Sequence, residues 1–307
     1  MIRKIKLLIC ALLVSYSYAN AQDCDISVRI LSPEESGLTK SAGDMLTKRI
    51  EQISNSANFV VGSGSSIAIV PKLTYITKDV LPGPPTKYSL DFELSLYLID
   101  VNTGSIYYSE TMSLKGVDNS ESKAQISAIK QIKPTSPQIT SMFVKGKQKV
   151  VAYYDENGGK IIAEAKRLCQ MREYEKALYT ILAIPDCSKY AEEATAEAIK
   201  IYDRYMDEIC YENLQAAKAA WVAEQNESGA KKAAQYLSMI YQGYGCYPDA
   251  EKLYAEIKAE IKSDKEFDKS LILSEIEIEN NKIKAIRDIG VAYGQGQQPI
   301  TTNVFGY

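Results

Sequence analysis

Leu90, Phe92, Leu94, Leu96 and Leu98 occupy every second position, with Ser89, Asp91, Glu93, Ser95 and Tyr97 between them. A period of two marks a strand that buries one face. Asn102-Thr103-Gly104 carries turn chemistry, with Gly104 free to take a positive φ. Ile106, Tyr108, Thr111 and Met112 favour a returning strand that runs into Leu114. Tyr88 to Leu114 therefore predicts a long β-hairpin. Asn119, Ser120 or Ser122 is placed to cap a following helix through Ala124, Ile126, Ile129 and Ile132, ended by Pro134 and Pro137.

Upstream, Ile26 to Leu31 alternates weakly and predicts a first strand. Leu38, Ala42, Met45, Leu46, Arg49, Ile50 and Ile53 form a helical stripe over about Gly37 to Ser54, read as core-facing. Asn58-Phe59-Val60-Val61 predicts a short strand and Ile67 to Thr77 a longer one. The Gly-Ser segment between them is followed by strand residues and lacks a Gly-Lys-Ser/Thr ending, so it is a turn and not a phosphate loop. Val80 to Thr86 contains Pro82, Gly83, Pro84 and Pro85 and predicts a stiff inter-strand loop. Loops on a rigid scaffold are favoured contact sites, which makes Pro82, Pro84 and Pro85 candidate partner-binding residues. Ile139, Phe143, Val144, Val150, Val151 and Tyr154 predict a further helix, broken or weakened by Asp155-Glu156-Asn157-Gly158-Gly159.

From Lys160 the pattern becomes helical, with small residues at regular places. Ile161, Ala165, Leu168 and Cys169 mark one face; Glu173 to Leu178 follows, closing at Ile184-Pro185. Ala194 to Tyr205 predicts a third helix, Leu214 to Trp221 a fourth and Ala230 to Ile240 a fifth. A sixth starts near Pro248, a natural first-turn residue. Tyr-x-x-Ala at Tyr174 and Tyr247 resembles tetratricopeptide-type helix pairs, in which small residues let antiparallel helices approach. Glu251 to Lys284 alternates in charge and reads as a solvated helix laced with i,i+4 pairs. Gly290 to Tyr307 is Gly- and Gln-rich and reads as a flexible tail, with Phe305 and Tyr307 as candidate docking residues at a sheet edge.

The predicted organisation is a signal peptide at 1–21, an α+β domain at 22–155 with a mixed or antiparallel sheet, an all-α tetratricopeptide-like domain at 156–288, and a tail at 289–307. Arg3, Lys4 and Lys6, the apolar run Leu7–Val14 and Ala19-Asn20-Ala21 fit an export signal. Asp23 before Cys24 departs from a lipobox, so a soluble exported protein is expected in the periplasm, at the outer membrane or outside the cell. Five cysteines remain after such cleavage: Cys24, Cys169, Cys187, Cys210 and Cys246. An oxidising compartment permits disulfides, and an odd count leaves one thiol over. If the helices run up and down in order, Cys169, Cys210 and Cys246 fall near one end and Cys187 near the other. A helix of some 18 residues is about 27 Å long, against about 7 Å for bridged Cα atoms. Cys210–Cys246 is the expected pair.

Histidine is absent, which removes His triads, His metal sites and His acid–base pairs. Net charge is −3, without the basic footprint of a nucleic-acid binder. No nucleophile elbow occurs, and Glu34-Glu35 and Glu192-Glu193 sit in a turn and on a helix surface, away from the facing geometry a glycosidase needs. No catalytic, metal or cofactor-binding residue is assigned. Tyrosine outnumbers phenylalanine 22 to 5. That bias suits packing between helices and also recognition surfaces.

Ile99-Asp100-Val101-Asn102-Thr103-Gly104 resembles the D-x-x-T-G hairpin turn of a group of bacterial envelope domains: those of the curli secretion protein CsgG, the peptidoglycan-synthase activator LpoB and the N-terminal part of TolB. The upstream order of strand, helix and Phe59-Val60-Val61 strand is similar too, and the likeness covers about Asp25 to Lys133. The resemblance implies a non-catalytic module for protein–protein contact or assembly, with envelope proteins as partners, peripheral envelope association and a homo-oligomer left open. The missing lipobox and pore hairpins depart from CsgG and argue against a secretion channel. A glycan or peptidoglycan binder using Tyr-lined surfaces is the alternative, and a carboxylate-based hydrolase a more distant one.

Overall fold

Residues 24–33, 37–261 and 278–297 are described by a computed structural model. The chain divides into two units. One comprises the residues up to Ala163 together with Tyr179–Ala194 and the stretch from Gly290; the other comprises Glu164–Leu178 and Thr195–Ile289.

The first unit is built on a five-stranded mixed sheet of order β2-β1-β3-β4-β5. Its strands are β1 (Ile26–Ile30), β2 (Phe59–Val61), β3 (Ile67–Leu81), β4 (Lys87–Asp100) and β5 (Ile106–Asp118). β1 lies parallel to both β2 and β3, whereas β3, β4 and β5 form an antiparallel meander. The alternation in β4 sends Leu90, Phe92, Leu94, Leu96 and Leu98 to one buried face. Helices α1 (Lys40–Ser56), α2 (Glu121–Ile129) and the first part of α3 (Pro137–Gln170) cover that face. The α1 stripe buries Ala42, Leu46, Ile50 and Ile53. In α3, Ile139, Met142, Phe143, Val150 and Tyr154 recur at helical spacing and are buried. The other sheet face is polar, with Glu93, Thr111, Ser113 and Lys115 exposed. A small cluster of Ala68, Val70, Ile99 and Val101 is buried there.

Two buried polar side chains anchor this unit. Gln125 accepts from the Thr39 backbone N–H at 3.0 Å and hydroxyl at 2.9 Å, and donates to Tyr75 Oη at 2.7 Å and the Gly37 carbonyl at 3.2 Å. It ties α2 to the start of α1. Lys147 of α3 donates to the carbonyls of Cys24 (2.6 Å), Ala57 and Asn58 (both 3.4 Å), with its ammonium 5.2 Å from the Phe59 ring centre. An ammonium out of water must be hydrogen-bonded, and backbone carbonyls at a turn supply those bonds.

The second unit is helical. It draws on α3, α4 (Tyr174–Ile181), α5 (Ala191–Ala223), α6 (Glu227–Leu237), α7 (Tyr247–Glu260) and α8 (Ile278–Gln295). Its core is built from small and large residues in turn, including Ala217, Trp221, Ala233, Leu237, Ala250 and Ile257. Small side chains let the backbones approach while the larger ones fill between. Asn226 caps α6 by accepting from Ser228 and Gly229 N–H.

Several local readings change. α3 passes through Gly158-Gly159 without a break. A Cβ on Gly158 would collide with the Tyr190 ring, so this glycine makes room for a neighbour and does not end the helix. The anticipated third and fourth helices are one, α5, because no Gly or Pro interrupts residues 206–213, with Cys210 buried within them. The expected tail is helical as far as Gln295, since Gly290 lies against Leu182 and Gly294 against the Gly64 carbonyl and Tyr179. Residues 298–307 fall outside the described range, as do the signal segment and residues 262–277.

Candidate functional site

The hairpin turn that carries the family resemblance is held by its own side chains. Asp100 Oδ1 accepts from the N–H groups of Asn102 (2.8 Å) and Thr103 (3.1 Å). The Asp100 carbonyl accepts from Gly104 N–H at 2.8 Å, and Gly104 sits at φ +71°. This is an Asx turn closed by a residue without a Cβ penalty. Oδ2 accepts from the Tyr107 hydroxyl at 3.2 Å, which lies 3.4 Å from the Tyr154 hydroxyl. Tyr179 donates to Asn102 Oδ1 at 3.1 Å. Burial, with Tyr154 and the Asp100 carboxylate beside it, raises the Tyr107 pKa far above the usual phenol range; burial raises Tyr154 as well. Both Asp100 carboxylate oxygens are engaged, Oδ1 within the turn and Oδ2 with Tyr107, so the motif explains how the hairpin is held.

The exposed chemistry lies at the other end of the same ladder. β3 and β4 stay paired from Ile67↔Asp100 to Leu81↔Lys87, interrupted by a bulge at Tyr75/Thr77. Thr77 donates to Asp91 at 2.8 Å, and Lys115 of β5 reaches the same carboxylate at 3.2 Å. These two bonds, the Thr77 bond first, hold the Asp91 carboxyl below its ordinary range. Lys78 bridges to Glu121 of α2 at 2.7 Å. Beyond this cross-bracing the hairpin exposes Ile76 (60 %), Val80 (56 %) and Leu81 (45 %). Alternation puts Leu81 on the sheet face that also carries exposed Val117, and Val80 beside Tyr88 on the opposite face. Pro82, Pro84 and Pro85 form the exposed tip next to them. Phe305 and Tyr307 lie outside the described residues.

Sequence reasoning assigned Val80 and Leu81 to the loop because of the prolines that follow. The overlooked signal is the β-compatible run Lys78-Asp79-Val80-Leu81, which mirrors Lys87-Tyr88-Ser89-Leu90 across the tip.

Two disulfides are formed, one in each unit. Cys210–Cys246 joins the middle of α5 to the start of α7, with Cα atoms 5.8 Å apart. Cys246 reaches mid-helix because α6 turns back along α5: about 20 Å of helix follows Cys210, and α6 returns over a similar length at about 1.5 Å per residue. Cys24–Cys187, with Cα atoms 5.5 Å apart, ties the segment before β1 to the loop between α4 and α5. No sequence signal pointed to it. It also engages the one thiol that invites a lipoprotein reading. Cys169 is free and buried. Disulfides of this kind place the chain outside the cytoplasm.

Glu192 and Glu193 occupy the first turn of α5, where the helix dipole favours them. Glu34 and Glu35 lie outside the described residues. Among the described residues no group of His, Cys, Asp or Glu is arranged to hold a metal ion, and no helix is long and apolar enough to cross a membrane. Tyrosines recur in the helical unit as packing elements: Tyr174 stacks on Tyr205 at 5.2 Å and donates to Glu208 at 2.7 Å. Burial, then the Glu208 bond, pushes the Tyr174 pKa up to about 12. No protein-family model matches the chain, and no curated protein matches it either.

Proposed function

We propose that the chain is a non-catalytic, exported interaction module of the cell envelope, whose sheet unit docks a protein partner through the distal β3–β4 hairpin. The observation that carries this reading is the exposure of Ile76, at the bulge, and of Val80 and Leu81, in a ladder that resumes past the bulge and stays paired to Leu81↔Lys87. Apolar side chains on a rigid, cross-braced element lose little entropy on docking, and the flanking prolines stiffen the contact further. The resemblance of the Asp100–Gly104 turn to the CsgG, LpoB and TolB N-terminal group supports an envelope setting. On this reading the tetratricopeptide-like helical unit offers a second protein-binding surface. Periplasmic or outer-membrane assembly is the proposed place of work.

The test is cross-linking of the exported protein in its native envelope, followed by capture of the full chain. A specific envelope protein recovered with the native chain and lost with Val80→Asp/Leu81→Asp supports the reading. Undiminished recovery with that variant sinks it, because both side chains already face water and the fold does not depend on them. Recovery of cell-wall glycan in place of protein would favour the glycan-binding alternative.

A further inference from the structure

A groove remains between α1 and the end of α2, on the far side of both helices from the sheet's polar face. It encloses about 600 Å³, inside the range of pockets that accept ligands. Its lining is mostly apolar and includes Met45 of α1 and the edge of Ile129 of α2, together with the aliphatic stems of the cationic residues. Its rim carries Lys48, Arg49 and Lys130, with Asp44 as the one lining acid. Asp44 is engaged by Lys40 at 3.0 Å. Lys48 and Lys130 are exposed and have no ion-pair partner among the described residues. Arg49 donates through Nε to the Ile132 carbonyl at 2.9 Å, and Gln125 ties α2 to the start of α1, so both walls are held before anything binds. The whole chain is acidic, at −3, which makes this local excess of cations stand out.

We infer that this groove binds an acidic, amphipathic peptide segment of a partner, its apolar side chains on Met45 and Ile129 and its carboxylates against Lys48, Arg49 and Lys130. An apolar floor with a cationic rim selects for that combination: the floor supplies buried area, and the rim penalises like charge. The site is separate from the hairpin tip and stands or falls independently of it. It also gives a role to Met45 and Arg49, the two members of the α1 stripe that are only half-buried while Ala42, Leu46, Ile50 and Ile53 are core.

The experiment uses the full chain and a fluorescein-labelled Glu-Leu-Glu-Leu-Leu-Glu peptide, its Lys-for-Glu counterpart, and vesicles of phosphatidylglycerol. Fluorescence anisotropy should show the acidic peptide binding and the basic one failing to bind, with affinity falling as salt rises through the screening range. Lys48→Glu/Lys130→Glu should weaken binding about tenfold or more, whereas Lys48→Arg/Lys130→Arg should retain it. Circular dichroism checks that the charge-reversed protein is folded, and Met45→Lys tests the floor separately. Val80→Asp/Leu81→Asp should leave the peptide affinity unchanged. The inference is overturned by equal binding of the two peptides, by no binding of the acidic one, by indifference to the rim and floor variants, or by a preference for the vesicles that the rim variants abolish.

Discussion

Gln125→Leu replaces a side chain that is 1 % exposed by one of similar volume, and so isolates its hydrogen bonds from its packing. Four bonds disappear: those from the Thr39 N–H and hydroxyl and those to Tyr75 Oη and the Gly37 carbonyl. The Thr39 hydroxyl keeps Ser122 within 3.2 Å, and Tyr75 Oη still donates to the Gly37 carbonyl at 3.0 Å, so the Thr39 N–H alone is left without a partner. Stranding a fully buried polar group costs about 1–3 kcal/mol. Gly37 and Thr39 lie at the protein surface and water reaches them, which places each loss at the low end. The expected destabilisation is therefore about 1–2 kcal/mol, one stranded donor plus the net worth of the other lost bonds. Urea unfolding followed by circular dichroism measures it, with an unchanged slope confirming that the folded and unfolded states are otherwise comparable. Tyr75→Phe in the same background closes a double-mutant cycle; a coupling of about 1 kcal/mol is expected because Gln125 donates to the phenolic oxygen. A loss below about 0.5 kcal/mol with no coupling would refute the reasoning, since water would then be replacing the lost bonds.

Cys210→Ser/Cys246→Ser should lower the stability of the helical unit by about 4 kcal/mol on the loop-entropy scale, the bridge spanning 36 residues; an unfolding midpoint that does not move under non-reducing conditions would contradict this. Stability should also fall between roughly pH 10 and 12. Unfolded tyrosines ionise near 10, whereas Tyr107, Tyr154, Tyr174 and Tyr244 hold their protons to higher pH when folded, so unfolding releases protons in that window and the tyrosine contribution is intact below it. Tyrosinate absorbance during an alkaline titration should show a late fraction that becomes early in urea, and loss of that difference would remove the basis for the claim.

The local elements were legible from the chain alone wherever one face is buried and the other wet. Leu90 to Leu98 declared β4 through its alternation, Gly104 its turn, and Ser120 the cap of α2, where it accepts from Lys123 N–H. The Ala42–Ile53 stripe declared α1 in the same way. What defeated sequence reasoning was punctuation. Glycine is unfavourable in an isolated helix by about 1 kcal/mol, so Gly158-Gly159 and Gly290 read as breaks. In the folded chain Tyr190 presses against Gly158 and Leu182 against Gly290, closer than a Cβ at either position would allow without a shift. The prolines at 82, 84 and 85 misled in the same direction, because strand pairing to Leu81↔Lys87 overrides their local preference.

The candidate surfaces divide along the same line. The sequence by itself determined that the chain has strands followed by helices, lacks histidine chemistry, and carries cysteines suited to an oxidising compartment. It also placed Pro82, Pro84 and Pro85 between two strands. Only the tertiary structure decided that β1 pairs in parallel on both sides, that Cys24 bonds Cys187 across 163 residues, and that Gln125 and Lys147 are buried among backbone groups. It alone set Lys48, Arg49 and Lys130 around one groove. The physical reason is that periodicity records which face of an element leaves water, while the identity of what covers that face depends on residues distant in the chain, whose polar groups show no partner until the fold supplies one.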